Sequence, residues 1–184
     1  MGKHGELEAK AHDVLISEIG KGEANAAGNN AGFDIERWRR LDGTGQPVKA
    51  ADPWCAALRS YSYIAAAVAL GDTVPFATSR SAKTLAVNVA KAGRWIVEPG
   101  KAYAGTFLDL AMVRGALICW HRGQGWQGHV GSIDRIDMER KAVVTIEGNM
   151  NNRGLTTERY AVVDYFYHPF DTFFKNLYGI ATLR

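Results

Sequence analysis

The apolar residues of this chain change their spacing near its middle, and this change constrains the fold more than any other feature. In the first half they recur at helical intervals, whereas the second half contains compact, β-branched runs that are typical of strands. The predicted helices cover residues 6–20, 33–41, 53–70 and 79–92. The predicted strands cover residues 116–120, 129–136, 142–147 and 159–167. Helices followed by antiparallel strands indicate an α+β fold.

The segments between and after these elements are predicted to connect them or to pack against them. Residues 94–114 are weakly periodic, so we predict a connection or an insertion there. Residues 138–141 are predicted to form the hairpin turn between the second and third strands. The aromatic-rich segment 168–184 is predicted to pack on a core of about residues 6–167. We therefore expect a single domain over residues 1–184, large enough to fold without a disulfide or a metal.

Charge, hydropathy and cysteine usage exclude several classes of protein. The 22 basic and 19 acidic residues give a net charge of +3, which is too small to indicate a nucleic-acid partner. No run of roughly 18 apolar residues predicts insertion into a membrane. The polar start, residues 1–6, lacks the apolar core of a secretory signal, so we expect synthesis in the cytoplasm. The two cysteines, Cys55 and Cys119, are too few for a disulfide scaffold or a cysteine-rich metal site.

Cys55 is the residue whose position points most directly to chemistry. Asp52 suits a helix N-cap and Pro53 suits the first helical turn, which predicts that Cys55 lies in that turn. A helix N-terminus and a protonated histidine both favour the thiolate, and backbone N–H groups of the same turn can stabilise an oxyanion. A buried structural cysteine is the alternative interpretation, because free cysteines are commonly buried.

A histidine and two other polar residues are predicted to meet in the sheet. His129 opens the second strand, and Glu147 and Asn149 end the third. If these strands form a hairpin centred near Arg140, both polar residues fall near His129 and share one face. An oxygen there would hold the imidazole in the tautomer that a general base needs. The alternative is a surface histidine beside ordinary strand-end residues, and no pattern distinguishes the other histidines, which are His4, His12, His121 and His168.

Three short segments together resemble the CHAP family, the cysteine- and histidine-dependent amidohydrolases and peptidases. They are Pro-Trp-Cys-Ala-Ala at residues 53–57, Gly-His-Val-Gly at residues 128–131 and Ile-Glu-Gly-Asn at residues 146–149. Residues 28–32 and 81–83 are similar to the family as well. The resemblance implies a papain-like fold of the NlpC type, in which the nucleophile begins a helix that packs on an antiparallel sheet.

The same resemblance implies a peptidoglycan hydrolase that cleaves an amide bond. The cleaved bond would join muramic acid to L-alanine, or lie within the peptide stem or cross-bridge. Cys55 would be the nucleophile, His129 the general base, Glu147 the orienting carboxylate and Asn149 a polar helper. No cofactor is implied, and the aspartates before Cys55 are too sparse to predict a calcium site or another metal site.

Candidate substrate-binding residues lie near the implied catalytic residues in sequence. Trp126, in a glycine-rich loop, is the strongest groove candidate, whereas Trp54 has core packing as an alternative. Asn29 and Asn30 belong to the first loop that is similar to the family. The implied partner is peptidoglycan, and a phage tail, a secretion system or an immunity protein are further candidates.

The implied setting is a phage lysin or a secreted antibacterial effector. Because no secretory signal is predicted, another system would deliver the enzyme to the periplasm or cell wall. Two alternatives stay open on the sequence: a catalytically silent structural or wall-binding virion protein, and a thiol acyltransferase on the same fold. The resemblance assigns no role to Cys119, which we expect to pack inside its strand.

Overall fold

A computed structural model describes residues 2–23, 30–47, 53–111, 113–122, 125–150 and 161–184, and within them the chain forms five helices and six strands. The helices are α1 (Lys3–Ser17), α2 (Phe33–Arg40), α3 (Cys55–Leu70), α4 (Ala82–Ala92) and α5 (Phe107–Ala111). The strands are β1 (Arg94–Val97), β2 (Leu117–His121), β3 (Gly128–Asp137), β4 (Ala142–Met150), β5 (Val162–Pro169) and β6 (Leu177–Thr182). The α+β class is thereby confirmed. None of the described helices has both the length and the apolar character that crossing a membrane requires.

All six strands join one antiparallel sheet in the order β1-β6-β2-β3-β4-β5. The last strand, β6, lies inside the sheet between β1 and β2, so the expectation of a core confined to residues 6–167 is corrected. Its central residue, Gly179, weakens the strand pattern in the sequence. Glycine is needed there because a Cβ atom would lie 2.8 Å from the ring of Trp95 in β1.

The two faces of the sheet are covered by different layers. In β2, Leu117 and Cys119 pack in the cluster that includes residues of α1, α3 and α4. Ile118 and Trp120 point to the other face, where they pack with α5 and with aromatic residues between β5 and β6. Burial on both faces explains why β2 is an unbroken apolar run rather than an alternating one.

The segment that was predicted to be a connection or an insertion, residues 94–114, contains a short strand and a short helix. Residues 94–97 form β1, which pairs with β6, and α5 packs against β3. A four-residue edge strand and a five-residue helix are too short to produce a clear periodic signal in the sequence.

Helix α3 begins at Cys55 and ends at Gly71, whose left-handed backbone (φ 64°) closes the helix. Trp54 is the N-cap residue, and its carbonyl accepts the first intrahelical hydrogen bond, from the N–H of Leu58 at 2.9 Å. Pro53 therefore precedes the cap instead of lying in the first turn as predicted, because the buried side chain of Trp54 holds the cap position in the core. The predicted cap, Asp52, lies outside the described residues.

Candidate active site

Cys55 lies at the N-terminus of α3 with only 4% of its surface exposed. The His129 imidazole and the backbone N–H of Val130, both in β3, lie beside its sulfur. Burial raises the pKa of the thiol, but His129, the Val130 N–H and the charge of Arg122 outweigh burial and lower this pKa below its ordinary value. The site therefore favours a thiolate at Cys55.

His129 connects the thiol to a buried carboxylate. Its Nε2 atom lies 2.7 Å from Oε2 of Glu147, whereas Nδ1 has no hydrogen-bond partner within the described residues. Nδ1 is thus the ring nitrogen available to the sulfur of Cys55. Burial lowers the pKa of His129, but Cys55 and Glu147 raise it more, to about 9. A pKa of about 9 favours the protonated imidazole near neutral pH, and this positive charge lies beside the thiol of Cys55.

Glu147 accepts hydrogen bonds from two histidines at once. Its Oε1 atom lies 2.6 Å from Nε2 of His168, and it also accepts a hydrogen bond from the hydroxyl of Thr145. The side chain of Glu147 is fully buried, which raises its pKa, but the two histidines hold this pKa well below the ordinary value. Near neutral pH this shift favours an ionised carboxylate, whose two oxygens are each held by a histidine.

Trp120 covers both imidazoles from the neighbouring strand β2. Its ring stacks on His129 at a centroid distance of 5.9 Å and on His168 at 4.9 Å. Trp120 is itself 9% exposed, so the stacked rings exclude most water from the pair of histidines. Limited access of water strengthens the interaction of both imidazoles with Glu147.

The strand pairing explains how these side chains meet. Trp120 pairs with His129, and Gly131 pairs with Glu147. Because His129 and Gly131 are two residues apart in β3, the indole of Trp120, the imidazole of His129 and the carboxylate of Glu147 lie on one face of the sheet. A Cβ at residue 131 would lie 2.7 Å from Cγ of Glu147, so glycine at this position makes room for the carboxylate. The proximity of Glu147 to His129 that the hairpin predicts agrees with the 2.7 Å contact between them.

His168 was not singled out by the sequence analysis. It pairs with Val143 across β4 and β5, which puts it on the same face as Thr145 and Glu147. In the sequence, Asp164 and His168 recur at an even spacing along β5, which places both on the face that adjoins Glu147. Recognising this face requires the β4–β5 register, which no local periodicity in the sequence specifies.

Asn149 is not the partner of His129 in this structure. It is half-buried with a left-handed backbone (φ 61°), and its carbonyl accepts a hydrogen bond from Arg122 at 3.5 Å. No hydrogen bond joins its side chain to His129 within the described residues. The second support behind the imidazole is His168, acting through Glu147, and the role of polar helper for Asn149 stays a prediction.

Two cavities flank the pair formed by Cys55 and His129. A cavity of about 520 Å³ adjoins Cys55 and is lined in part by Ser81 and Trp126. A second cavity, of about 220 Å³, adjoins His129, and Arg122 lines both cavities. Substrate can therefore approach the reacting atoms from two sides.

The candidate substrate-binding residues that the structure describes differ in burial and in their contacts. Trp126 is 74% exposed on the wall of the larger cavity, as a groove residue should be. Trp54 is fully buried, stacks on Trp38 at 5.0 Å and donates to Glu23, so its proposed contact with substrate is corrected to core packing. Asn30 lines neither cavity and binds Glu23 through its backbone N–H. Asn29 lies outside the described residues.

Cys119 is chemically different from Cys55. It is fully buried in β2, and burial together with the nearby charge of Cys55 raises the pKa of its thiol far above the ordinary value. Both cysteines are free. Within the described residues, no cluster of three or more histidine, cysteine or acidic side chains is arranged to hold a metal ion. The lowered pKa of its thiol makes Cys55, rather than Cys119, the candidate nucleophile.

Replacing Glu147 by glutamine should lower the pKa of His129 from about 9 toward its ordinary value of 6.5. The negative charge of Glu147 favours the protonated ring, so its removal makes the proton leave at lower pH. An NMR titration of the imidazole measures this shift. Glu139→Gln, an exposed carboxylate of the same hairpin, is the control and should leave the titration unchanged. An unchanged His129 titration in a folded Glu147→Gln protein would contradict the assigned contact.

Comparison with known proteins does not identify a relative of this chain. No protein-family model, no curated protein and no solved structure matches the chain. The resemblance of its three short segments to the CHAP family thus stays a prediction, and function has to be argued from the site itself.

Proposed function

We propose that this chain is a thiol hydrolase that cleaves an amide bond of bacterial peptidoglycan. The observation that carries the proposal is Cys55 at a helix N-terminus beside His129, whose other ring nitrogen is bound to the buried Glu147. Buried charges are costly unless they are paired, and strongly shifted pKa values cluster at functional sites. A structural cysteine would need neither a charged imidazole nor a carboxylate behind it.

Acylation begins when the thiolate sulfur of Cys55 attacks the carbonyl carbon of the scissile amide. The oxygen gains the electron pair and faces N–H groups of the first turn of α3, which have no acceptor within the helix. The C–N bond then breaks, and the departing nitrogen takes the proton from Nδ1 of His129. The products of this step are a free amine and a thioester on Cys55.

Hydrolysis of the thioester restores the enzyme. His129, now neutral, removes a proton from water, and the resulting hydroxide attacks the thioester carbonyl. The C–S bond breaks, a carboxylic acid leaves, and the thiolate–imidazolium pair forms again. Glu147 holds the ring and stabilises its positive charge throughout, without transferring a proton itself.

The choice of peptidoglycan, and of a papain-like fold, rests on the sequence. The three segments at residues 53–57, 128–131 and 146–149 carry the nucleophile, the base and the orienting carboxylate in the order found in the CHAP family. The exposed Trp126 beside Cys55 suits a sugar ring or a peptide stem, since aromatic faces stack on both. A lysin or an antibacterial effector is the setting that we propose for this activity.

Purified wall sacculi of several peptidoglycan types provide the test. We expect the wild-type protein to release new amino groups, and mass spectrometry of the soluble fragments then identifies the cleaved bond. Binding to sacculi without release from any wall type would contradict hydrolysis and favour the silent wall-binding protein. Release that requires an added amine acceptor, with the acyl group transferred to that amine, would favour the thiol acyltransferase.

A further inference from the structure

The two cavities beside the reacting atoms have distinct chemical roles if the proposed function holds. Cys55 keeps the acyl part of the substrate as a thioester, and Cys55 lines the larger cavity. His129 gives its proton to the departing amine, and His129 lines the smaller cavity. The amine side of the scissile bond is therefore assigned to the smaller cavity, of about 220 Å³, which shares Arg122 with the larger one.

The described lining of the smaller cavity is electropositive. It contains the exposed cations Arg122 and Lys175, and its single acidic residue is Glu147. The side chain of Glu147 has no exposed surface and is already bound by two histidines, so it offers no negative charge to the cavity. No carboxylate within the described residues pairs with either cation.

Both cations are anchored by contacts that leave their charge available. Nη2 of Arg122 lies 2.8 Å from Sδ of Met150 and 3.5 Å from the carbonyl of Asn149, both of which are neutral. The backbone N–H of Lys175 is held by the carbonyl of Thr172 at 2.9 Å, which fixes the lysine in a turn at the cavity. The guanidinium group of an arginine and the ammonium group of a lysine can together bind a carboxylate through ion pairs and hydrogen bonds.

We propose that Arg122 and Lys175 form a subsite for a carboxylate on the amine side of the scissile bond. The substrate class is thus an acidic peptide whose free carboxylate lies one or two residues beyond the bond that is cut. Peptidoglycan stems in which this carboxylate is amidated should be poorer substrates. Specificity arises because the amide cannot neutralise the two cations.

A matched pair of muropeptides, with this group as a free carboxylate or a carboxamide, tests the subsite. We expect wild type to show a lower KM for the carboxylate. Lys175→Gln should raise that KM about fivefold, the size expected of one exposed ion pair, and should leave the KM for the carboxamide unchanged. Lys91→Gln, an exposed lysine of α4, is the control that should preserve the preference. Arg122→Gln should also slow turnover, because the charge of Arg122 acts on Cys55.

Binding to a Cys55→Ala protein separates this inference from the proposed hydrolysis. Calorimetry with the same two fragments needs no cleavage. Tighter binding of the carboxylate, lost in the Cys55→Ala, Lys175→Gln double variant, supports the subsite whether or not wild type cleaves either fragment. Equal binding of the two fragments, or binding of neither, overturns it, even if hydrolysis of peptidoglycan is established.

Discussion

Replacing Cys55 by alanine should abolish cleavage of wall sacculi, with a loss in kcat/KM of about 10⁴-fold or more. The sulfur forms the covalent intermediate, and the second thiol, that of Cys119, is held protonated by burial. Helix α3 should remain intact, because alanine fits a first helical turn and the sulfur makes only a small contribution to the core. Release of amino groups, measured with equal amounts of folded protein, gives the comparison.

The second cysteine provides a matched control. Cys119→Ala removes the same atom from the same apolar cluster, in β2 rather than in α3, but the thiol of Cys119 is held protonated by burial. We expect this variant to retain activity within about twofold and to lose a little stability, since a small cavity forms. Loss of activity in Cys119→Ala with full activity in Cys55→Ala would reverse the assignment of the nucleophile.

Replacing His129 by glutamine should lower kcat/KM by about 10³-fold. Two effects combine: the thiol loses the positive charge that keeps it ionised, and the departing amine loses its proton donor. Glutamine retains a polar group that can reach Glu147, so the buried carboxylate is not left without a partner. The loss should be smaller than that of Cys55→Ala, because some thiolate persists at high pH.

An exposed histidine in α1 is the control for this substitution. His4 is far from the sheet in sequence and is exposed to solvent. The activity of the His4→Gln protein should therefore equal that of wild type. Thermal melting of both variants checks that the fold is retained. A folded His129→Gln protein with wild-type activity at neutral pH would exclude His129 as the general base.

Much of the geometry of the candidate site could be predicted from the sequence, because it depends on residues within one hairpin and one helix. A hairpin fixes which residues of its two strands meet, so the approach of His129 to Glu147 followed from the distance of each from the turn. The position of Cys55 at the start of α3 followed from the apolar run after it and from Gly71 at the end of the helix.

The remaining features depend on contacts between distant parts of the chain. The insertion of β6 between β1 and β2 joins residues that are far apart in sequence, and no local periodicity encodes such pairing. The contact of His168 with Glu147 follows only once β5 is aligned with β4. For Trp54 both substrate contact and core packing stayed open, because a tryptophan next to a nucleophile suits a groove or a core until its neighbours, Trp38 and Glu23, are known.

If Cys55 and His129 form a thiolate–imidazolium pair, the rate of alkylation as a function of pH reports it directly. Mass spectrometry after iodoacetamide treatment distinguishes Cys55 from Cys119. We expect rapid alkylation of Cys55 at pH values well below the pKa of about 8.5 of a free thiol, and a shift of the profile to higher pH in His129→Gln. An ordinary thiol profile for Cys55 in the folded wild-type protein, identical to that of His129→Gln, would contradict it.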